Sequence, residues 1–341
     1  MRVSDAYLRP VNHRPQIYSA LDLGTNNCRL LVARPTRRGF RVVDAFSRIV
    51  RLGEGLGQTG RLSDAAMDRA ISALRVCARK MRRHRVSRTL NVATEACRLA
   101  ENGDAFIARV RAETGIELTV ISTREEANFA VAGCLPLLDS QCGNALVFDV
   151  GGGSTELIWL DLANVRDPEI ISWTSMRHGV VTLSEKHGGI EISPSAYAAM
   201  VDDVAGQLRD FELQNNLQRY FARGGAQMLG MSGTVTTLAG VHMGLRRYDR
   251  SRVDGAWMML QDLRDVSRKI TAMQHRDRVA NPCVGPERAD LVVAGCAILE
   301  AITDIWPAER VRVADRGLRE GILTTLMRQD EETRRTPRFQ P

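Results

Sequence analysis

Short apolar runs alternate with polar turns along this chain, and the spacing of the apolar residues changes from one stretch to the next. Alternation with a period of two predicts strands, and apolar residues three or four apart predict helices. Three early strands joined by short turns predict an antiparallel meander. The elements predicted for the first half are strands at 17–24, 28–33 and 40–46, a helix at 63–80 that Ser63 and Asp64 cap, a strand at 89–93, a helix at 104–113 and a strand at 117–121.

The same order of elements begins again near Asn144. The stretch from Asp22 to Leu30 aligns without a gap on the stretch from Asp149 to Leu157, and each copy lies between two apolar strands. Such self-similarity indicates an internal repeat. The second set comprises predicted strands at 145–150, 156–160, 170–175 and 227–231 with a helix at 193–214, and further helices are predicted at 123–134, 288–302 and 315–327.

The repeat predicts two similar α/β domains side by side with a cleft between them. We expect the first domain to span residues 1–123 and the second to span 124–312, with a helix within 313–330 packing back on the first. Residues 1–15 are polar and are expected to form a loose tail without a signal-peptide core. Because no apolar run approaches the ~18 residues of a membrane span, we expect a cytoplasmic protein without a membrane partner.

Composition changes this picture in one respect, the kind of positive charge. The 341 residues fit two domains, and 47 Lys and Arg against 40 Asp and Glu give a net charge of +7. Only three of these cations are lysines, so the surplus is arginine, which indicates either GC-rich codon usage or a polyanionic partner. Arg48, Arg51 and the arginines of 75–88 are candidates for a track that leads a polyanion to the cleft.

The partner is not expected to be nucleic acid, because aromatic residues make up only 5% of the chain and leave little for base stacking. Seven cysteines are scattered without a C-x-x-C pair or zinc spacing, which favours a reduced protein.

The first glycine-bearing turn follows Asp22. Gly24 lets the backbone approach an anion, and consecutive N–H groups in such a turn form an anion-binding nest. Thr25 and Asn26 add side-chain donors, while the carboxylate of Asp22 suits a metal ion or its water shell. An ordinary hairpin with an aspartate in its turn explains the same residues.

The second turn carries a stronger signal. Three consecutive glycines, Gly151, Gly152 and Gly153, separate two apolar strands, where glycine usually marks the approach of a ligand or a bulge. Hydroxyls and carboxylates surround them, a mixture that phosphate and a divalent metal need together; they belong to Asp149, Ser154, Thr155 and Glu156. A merely flexible hairpin is the alternative.

A third turn and two charged residues complete the candidates. Ser232, Gly233 and Thr234 open a helix whose positive end would face an anion, although a plain N-cap explains them too. Glu126, early in the helix between the domains, could deprotonate a water, and the alternative is an acid that the helix dipole favours. Arg98 follows a strand and could bind phosphate, or lie on the surface.

Together these motifs resemble the exopolyphosphatase/guanosine pentaphosphate phosphatase family of the actin, Hsp70 and sugar-kinase superfamily. The resemblance covers residues 17–327 and implies an α/β fold of two duplicated ribonuclease-H-like (actin-like ATPase) domains. The resemblance is to the short form of the family, so we expect no C-terminal HD-type domain such as many members carry. The motifs that carry it are 22–27, 48–56, 94–98, 121–127, 149–156, 231–237 and 314–321.

The resemblance implies metal-dependent release of a terminal phosphate from inorganic polyphosphate or of the 5′-γ-phosphate from guanosine pentaphosphate. Glu126 matches the family's catalytic base, Asp149 and Glu156 match acids of metal binding and catalysis, and Arg98 matches a phosphate-binding arginine. The implied cofactor is Mg²⁺ or Mn²⁺, which we expect Asp149, Glu156 and Asp22 to hold.

Two alternative functions, a possible assembly and one departure from the family pattern accompany this assignment. An ATP-dependent kinase or ATPase of the same fold is one alternative, and a non-enzymatic sensor of guanosine pentaphosphate is another. A homodimer is compatible with the sequence. Asn27 stands where the family usually has a second serine, so one hydroxyl contact of the first turn is absent.

Overall fold

The structure, a computed structural model, describes residues 16–37, 39–188 and 190–335, and the tail predicted for 1–15 lies outside them. The strands are β1 Tyr18–Leu23, β2 Asn27–Thr36, β3 Gly39–Ile49, β4 Arg88–Ala93, β5 Thr119–Val120, β6 Asn144–Val150, β7 Thr155–Asp161, β8 Glu169–Met176, β9 Ala226–Met231, β10 Trp257–Met259 and β11 Arg310–Ala314. The helices are α1 Leu56–Thr59, α2 Asp64–Arg83, α3 Glu95–Leu99, α4 Gly103–Thr114, α5 Thr123–Cys134, α6 Val180–His187, α7 Pro194–Asn215, α8 Gln218–Ala222, α9 Gly233–His242, α10 Arg250–Val253, α11 Leu260–Thr271, α12 His275–Ala280, α13 Val292–Ile305 and α14 Leu318–Arg335.

The described strands form two sheets of the same design. The first has the order β3-β2-β1-β4-β5, and the second has the order β10-β11-β9-β6-β7-β8. In each sheet the first strand of the repeat pairs antiparallel with the next strand and parallel with a strand that follows a helix, as β1 does with β2 and β4. The α/β fold with a duplicated meander is therefore confirmed.

The strand register matters for the site, because residues opposite each other project from the same face of a sheet. Asp22 on β1 lies opposite Arg29 on β2, and Asp149 on β6 lies opposite Glu156 on β7. The two hairpins thus place an aspartate at the same point but give it partners of opposite charge.

Some predicted boundaries differ from the structure. The strand predicted at 117–121 is reduced to Thr119–Val120, because only those two residues pair with β4. α13 begins at Val292 and α14 at Leu318, later than predicted, because the residues before them form turns that line a cavity. β10 and β11, which extend the second sheet, were not predicted.

Each sheet is covered on both faces. Alternate residues of β1 face opposite ways, so Leu21 and Leu23 pack toward α2 while Tyr18 and Ala20 pack toward α14. In the second sheet, Leu146 and Phe148 of β6 face the core formed with α7 and α13, and Ala145 and Val147 face α5. Helices α5 and α14 also pack on each other, so they join the two sheets.

The division at residues 123 and 124 stays a prediction. All seven cysteines are free thiols. Across the described ranges, every helix is too short or too polar to span a membrane.

Candidate active site

The two repeated turns meet across a cavity of about 210 Å³. Nearly all of the predicted site residues line it, namely Asp22, Gly24, Thr25, Asn26, Glu126, Asp149, Gly151, Gly152, Gly153, Ser154, Glu156, Ser232, Gly233 and Thr234. Arg98 and Thr155 are the two predicted residues outside its lining. The structure thus brings together residues that are scattered over more than 200 positions of the chain.

The first turn is fixed from behind by the loop that follows β3. The carbonyl of Asn26 accepts hydrogen bonds from the N–H groups of Val50 (2.8 Å) and Arg51 (3.0 Å), and the carbonyl of Thr25 accepts one from Gly53 (2.9 Å). Thr25 and Asn26 are buried. Because their carbonyls are held from behind, the position of their N–H groups is set before any ligand arrives.

The second turn is held in the same way by α6. Gly151 and Gly152 accept hydrogen bonds at their carbonyls from Val180 (3.0 Å) and Val181 (2.8 Å). Thr155 points away from the cavity and donates its hydroxyl to the carbonyl of His178 at 2.6 Å. Thr155 is therefore placed to position the turn, and its predicted phosphate contact stays a prediction.

Close approach between the two turns explains the glycines of the second. A Cβ on Gly152 would lie 2.9 Å from Cβ of Asn26, and a Cβ on Gly153 would lie 2.3 Å from Oε2 of Glu95 and 2.9 Å from the hydroxyl of Thr25. Real Cβ atoms do not approach so closely. Within the described chain, the N–H groups of Gly152 and Gly153 donate to no other residue. They are available to an anion in the cavity.

The third turn links β9 to α9. Ser232 adopts φ +119°, which is unusual for a residue with a side chain, and its hydroxyl accepts a hydrogen bond from the N–H of Thr234 at 3.2 Å. Ser232 therefore caps α9, as the simpler interpretation of the sequence had it. Gly233 and Thr234 also face the cavity, so capping and ligand binding are compatible at this turn.

The two glutamates at the start of α5 have separate tasks. Glu125 completes a capping box, since its Oε2 accepts hydrogen bonds from the N–H (2.8 Å) and the hydroxyl (2.7 Å) of Ser122. Glu126 instead lines the cavity, with Oε2 3.0 Å from Nη1 of Arg98. Arg98 is itself held by the carbonyl of Ile121 at 2.7 Å.

The electrostatics around Glu126 suit a base. Burial raises its pKa well above the ordinary value, the charge of Glu156 raises it further, and Arg98 lowers it. Glu156 is buried, and its Oε1 accepts hydrogen bonds from the hydroxyls of Ser154 (2.5 Å) and Ser175 (2.8 Å). One carboxylate oxygen of Glu156 therefore already accepts two hydrogen bonds within the protein.

Asp22 and Asp149 differ from Glu156 in having no partner. Neither carboxylate makes a hydrogen bond or an ion pair with any described residue. Burial raises the pKa of Asp22, and burial together with Glu156 raises the pKa of Asp149 to about 7.

Asp22 and Asp149 are also the residues that could hold a divalent ion. No group of three or more His, Cys, Asp or Glu within the described ranges could hold a metal ion. Mg²⁺, however, is commonly bound through one or two carboxylates, with substrate phosphates and waters supplying the remaining oxygens. Two unpartnered carboxylates at the cavity wall fit that mode, and Glu156 fits it less well.

Sequence reasoning missed four arginines and one glutamate of the cavity. Arg29, Arg288, Arg316 and Arg319 line it, and Glu95 lies against Gly153 with a buried Oε2 that has no described partner. Arg288 donates from Nη1 to the hydroxyl of Thr237 at 2.8 Å. Arg29 and Arg319 could have been found as single charges beside apolar residues. Arg29 lies in the repeated stretch 22–30, and Arg319 lies in the motif 314–321.

The predicted arginine track stays a prediction. Several of its members form ion pairs within the protein: Arg51 with Asp290, Arg75 with Glu113, and Arg88 with Asp330. Arg48 stacks on the ring of Phe46.

Known proteins resemble this chain over most of its length. The model of the Ppx/GppA phosphatase family matches residues 31–330. The chain is 29% identical over 316 residues to the guanosine-5′-triphosphate,3′-diphosphate pyrophosphatase of Aeromonas salmonicida, which covers 92% of this chain and 60% of that relative. It is also 29% identical over 326 residues to exopolyphosphatase 2 of Mycobacterium tuberculosis, covering 90% of this chain and 98% of the relative.

A solved structure extends the likeness to three dimensions. An exopolyphosphatase from Cytophaga hutchinsonii superposes with a TM-score of 0.83 at 25% identity, over 92% of this chain and 98% of that one. The chain thus spans 60% of the Aeromonas relative but nearly the full length of the two exopolyphosphatases.

Proposed function

Because the chain belongs to the Ppx/GppA phosphatase family, we propose that it hydrolyses terminal phosphoanhydride bonds, with inorganic polyphosphate and guanosine pentaphosphate as candidate substrates. The names of the relatives support both substrates, and both present a terminal phosphate on a phosphoanhydride. The observation that carries the proposal is the meeting of two turns with unused N–H groups beside a carboxylate, Glu126, that an arginine holds in place.

Phosphoryl transfer to water asks mainly for positioning and charge neutralisation. The N–H groups of both turns would bind the terminal phosphate, and the guanidinium groups of Arg29 and Arg288 would offset the charge of the phosphates behind it. Glu126 would orient a water and accept its proton while the water oxygen bonds to phosphorus and the bridging P–O bond breaks. The products are orthophosphate and a chain one phosphate shorter.

Arg98 enters this proposal as the partner of Glu126. Its contact with the carboxylate fixes the orientation of the base and keeps it ionised at a lower pH than burial alone would allow.

The proposal includes a divalent cation, Mg²⁺ or Mn²⁺. When bound, such an ion neutralises phosphate oxygens. Asp22 and Asp149 are the residues that would hold it, because their carboxylates face the cavity without another partner. Glu156 would act mainly through its negative charge beside Glu126.

Phosphate release tests the proposal directly. Purified protein is incubated with tripolyphosphate, long-chain polyphosphate and guanosine pentaphosphate, each with and without Mg²⁺, and orthophosphate is measured over time. We expect release with at least one substrate, and a loss of about 10²–10⁴-fold in Glu126→Gln. ATP with candidate sugar acceptors, run in parallel, distinguishes a kinase of the same fold.

Glu125→Gln is the matched control. It changes the neighbouring acid, which caps the helix and does not line the cavity, and glutamine also serves in a capping box. We expect wild-type rates. Equal activity in Glu126→Gln and Glu125→Gln would exclude Glu126 as the base, and tight guanosine pentaphosphate binding without phosphate release would favour the sensor.

A further inference from the structure

One cation of the cavity comes from the far end of the chain. Arg319 lies in the first turn of α14 and shares the cavity wall with Asp22 and Arg29. The other charged residues of its motif, 314–321, all have partners within the protein. Arg316 binds Asp254 through Nε (3.0 Å to Oδ2), and Glu320 accepts hydrogen bonds from Arg250 (2.6 Å) and from the N–H of Gly317 (3.1 Å).

These contacts make the first turn of α14 rigid and fix the backbone that carries Arg319. Tyr248 adds a hydrogen bond from its hydroxyl to Asp315 at 2.6 Å, and the N–H of Asp315 donates to Asp254 at 3.0 Å. Because this backbone is already fixed, little additional conformational entropy is lost in placing Arg319 when a ligand binds.

Arg319 itself is the exception in this network. Its guanidinium makes no hydrogen bond or ion pair with any described residue. Burial lowers its pKa, the carboxylates of Glu320 and Asp22 oppose that effect, and Arg29 and Arg250 add to it. A partly buried cation among other cations is costly unless an anion balances it.

The packing of α14 on α5 separates Arg319 from Glu126. A Cβ on Gly133 would lie 2.0 Å from the carbonyl oxygen of Gly317, and a Cβ on Gly321 would lie 1.8 Å from that of Phe129, so the first turn of α14 lies against residues 129–133 of α5. Glu126 lies three to seven residues before this contact, about 5–10 Å along the axis of α5, so the two side chains enter the cavity from different places. Since the attacking water and the leaving oxygen are roughly in line through the phosphorus, the group opposite the base faces the leaving phosphate.

We propose that Arg319 binds the penultimate phosphate of the substrate, the group that leaves, through the two-pronged face of its guanidinium. The inference rests on the proposed function. It makes α14 part of the active site and predicts that the site prefers two linked phosphates to one, because orthophosphate offers nothing for Arg319 to bind.

The test measures binding without hydrolysis. The probes are methylenediphosphonate, in which a CH₂ group replaces the bridging oxygen, and orthophosphate, and their dissociation constants are measured by calorimetry on the full chain. We expect the wild type to bind the diphosphonate more tightly. Arg319→Gln should weaken it about 10- to 100-fold and change orthophosphate binding less than about 3-fold. Arg319→Lys keeps the charge but loses the two-pronged face of the guanidinium, so its affinity for the diphosphonate should lie between those of the wild type and Arg319→Gln.

Arg328→Gln is the matched control, because Arg328 lies on the same helix and is exposed. It should leave both dissociation constants unchanged. Thermal unfolding without ligand gives a second readout. If Arg319 serves a ligand, Arg319→Gln should unfold at the wild-type temperature or above, since it removes a partly buried charge that makes no hydrogen bond or ion pair with any described residue.

Three results would overturn the inference: equal affinity of the wild type for both probes, equal weakening of both probes in Arg319→Gln, or a lower unfolding temperature in that variant with unchanged binding. The last would identify Arg319 as a structural counter-ion of Asp22. These outcomes are independent of the proposed hydrolysis, which fails instead if Glu126→Gln retains full phosphate release.

Discussion

The two turns that face each other across the cavity share a backbone and differ in charge. Each hairpin places an aspartate at the end of its first strand, but Asp22 lies opposite Arg29 whereas Asp149 lies opposite Glu156. Arg29 lowers the pKa of Asp22 against the effect of burial, while Glu156 adds to burial and raises the pKa of Asp149 to about 7. The two hairpins therefore share their geometry, while the residues opposite the two aspartates have opposite charges.

The turns also differ in how they make room for an anion. The first relies on side chains, since Thr25 and Asn26 contribute buried polar groups and a Cβ on Gly24 would meet its neighbours at no less than 3.7 Å. The second relies on the absence of side chains, since its glycines touch the first turn. The first turn should thus tolerate an added side chain at its glycine better than the second turn, whose glycines lie against the first.

Exchanging one glycine in each turn gives the largest expected difference between them. Gly152→Ala forces a methyl group to 2.9 Å from Cβ and 3.1 Å from the backbone nitrogen of Asn26, so we expect about 1–3 kcal/mol of lost stability and at least about 100-fold slower phosphate release. Gly24→Ala meets only ordinary contacts and no positive φ, so we expect activity within about 3-fold of wild type. Denaturant unfolding and phosphate release measure both.

Gly206→Ala, in α7 with open space around it, controls for the exchange itself. If Gly24→Ala and Gly152→Ala lose activity equally, close contact with the first turn is not the reason for the glycines of the second turn.

The base between the turns is expected to show the next largest effect. Arg98 lowers the pKa of Glu126, so Arg98→Ala should raise that pKa and move the ascending limb of the pH–rate profile to higher pH. At neutral pH the rate should fall about tenfold and recover at alkaline pH. Phosphate release measured from pH 5 to pH 10 would show it.

The same profile distinguishes the two roles of Arg98. If Arg98 binds phosphate, as the family resemblance implies, Arg98→Ala should raise KM at every pH and leave the limb in place. Arg124→Ala, at the exposed start of the same helix as Glu126, should change neither quantity.

Local features of the fold and the site could be predicted from the sequence, and features that depend on tertiary contacts could not. The repeat, the strands and most cavity residues follow from periodicity and from glycine placement, because both are local. The charge difference between the hairpins does not, since it depends on which residue of β2 or β7 lies opposite each aspartate. Arg98 illustrates the same limit: its position after a strand suggested phosphate, but its direction depends on the packing of α5, which brings Glu126 within 3.0 Å.

The pH dependence of the unfolding temperature tests the electrostatic difference between Asp22 and Asp149. The folded-state pKa of Asp149, about 7, lies above its ordinary value of 3.8, so without metal the folded state binds a proton more tightly than the unfolded state does. Wild-type stability should therefore fall as pH rises between those values. Asp149→Asn should unfold a few degrees above wild type at pH 8 and at the same temperature near pH 4. Asp22→Asn should gain less, because Arg29 and Arg319 both offset the charge of Asp22, whereas Glu156 adds to the effect of burial on Asp149.

Magnesium reverses this prediction if the two aspartates hold it. At pH 8, Mg²⁺ should raise the unfolding temperature of the wild type and not that of Asp149→Asn. Calorimetric scans with and without Mg²⁺ measure both effects, and an equal response of the two proteins would assign the ion to other residues.

The smallest expected effect lies at the rim where the halves touch outside the cavity. Arg51, in the loop that fixes the first turn, forms an ion pair with Asp290 at 2.8 Å, and the N–H of Gly55 donates to Glu185 of α6 at 3.0 Å. A partly exposed pair contributes about 0.2–1 kcal/mol, so Arg51→Ala should raise KM by no more than about fivefold and leave kcat unchanged. A double-mutant cycle with Asp290→Asn should give a coupling of that size in KM, and it should shrink at high salt. Arg61→Ala, which breaks the exposed pair with Glu101 within the first half, should leave KM alone. A coupling of zero at low salt would mean that the halves are held together at the turns and not at the rim.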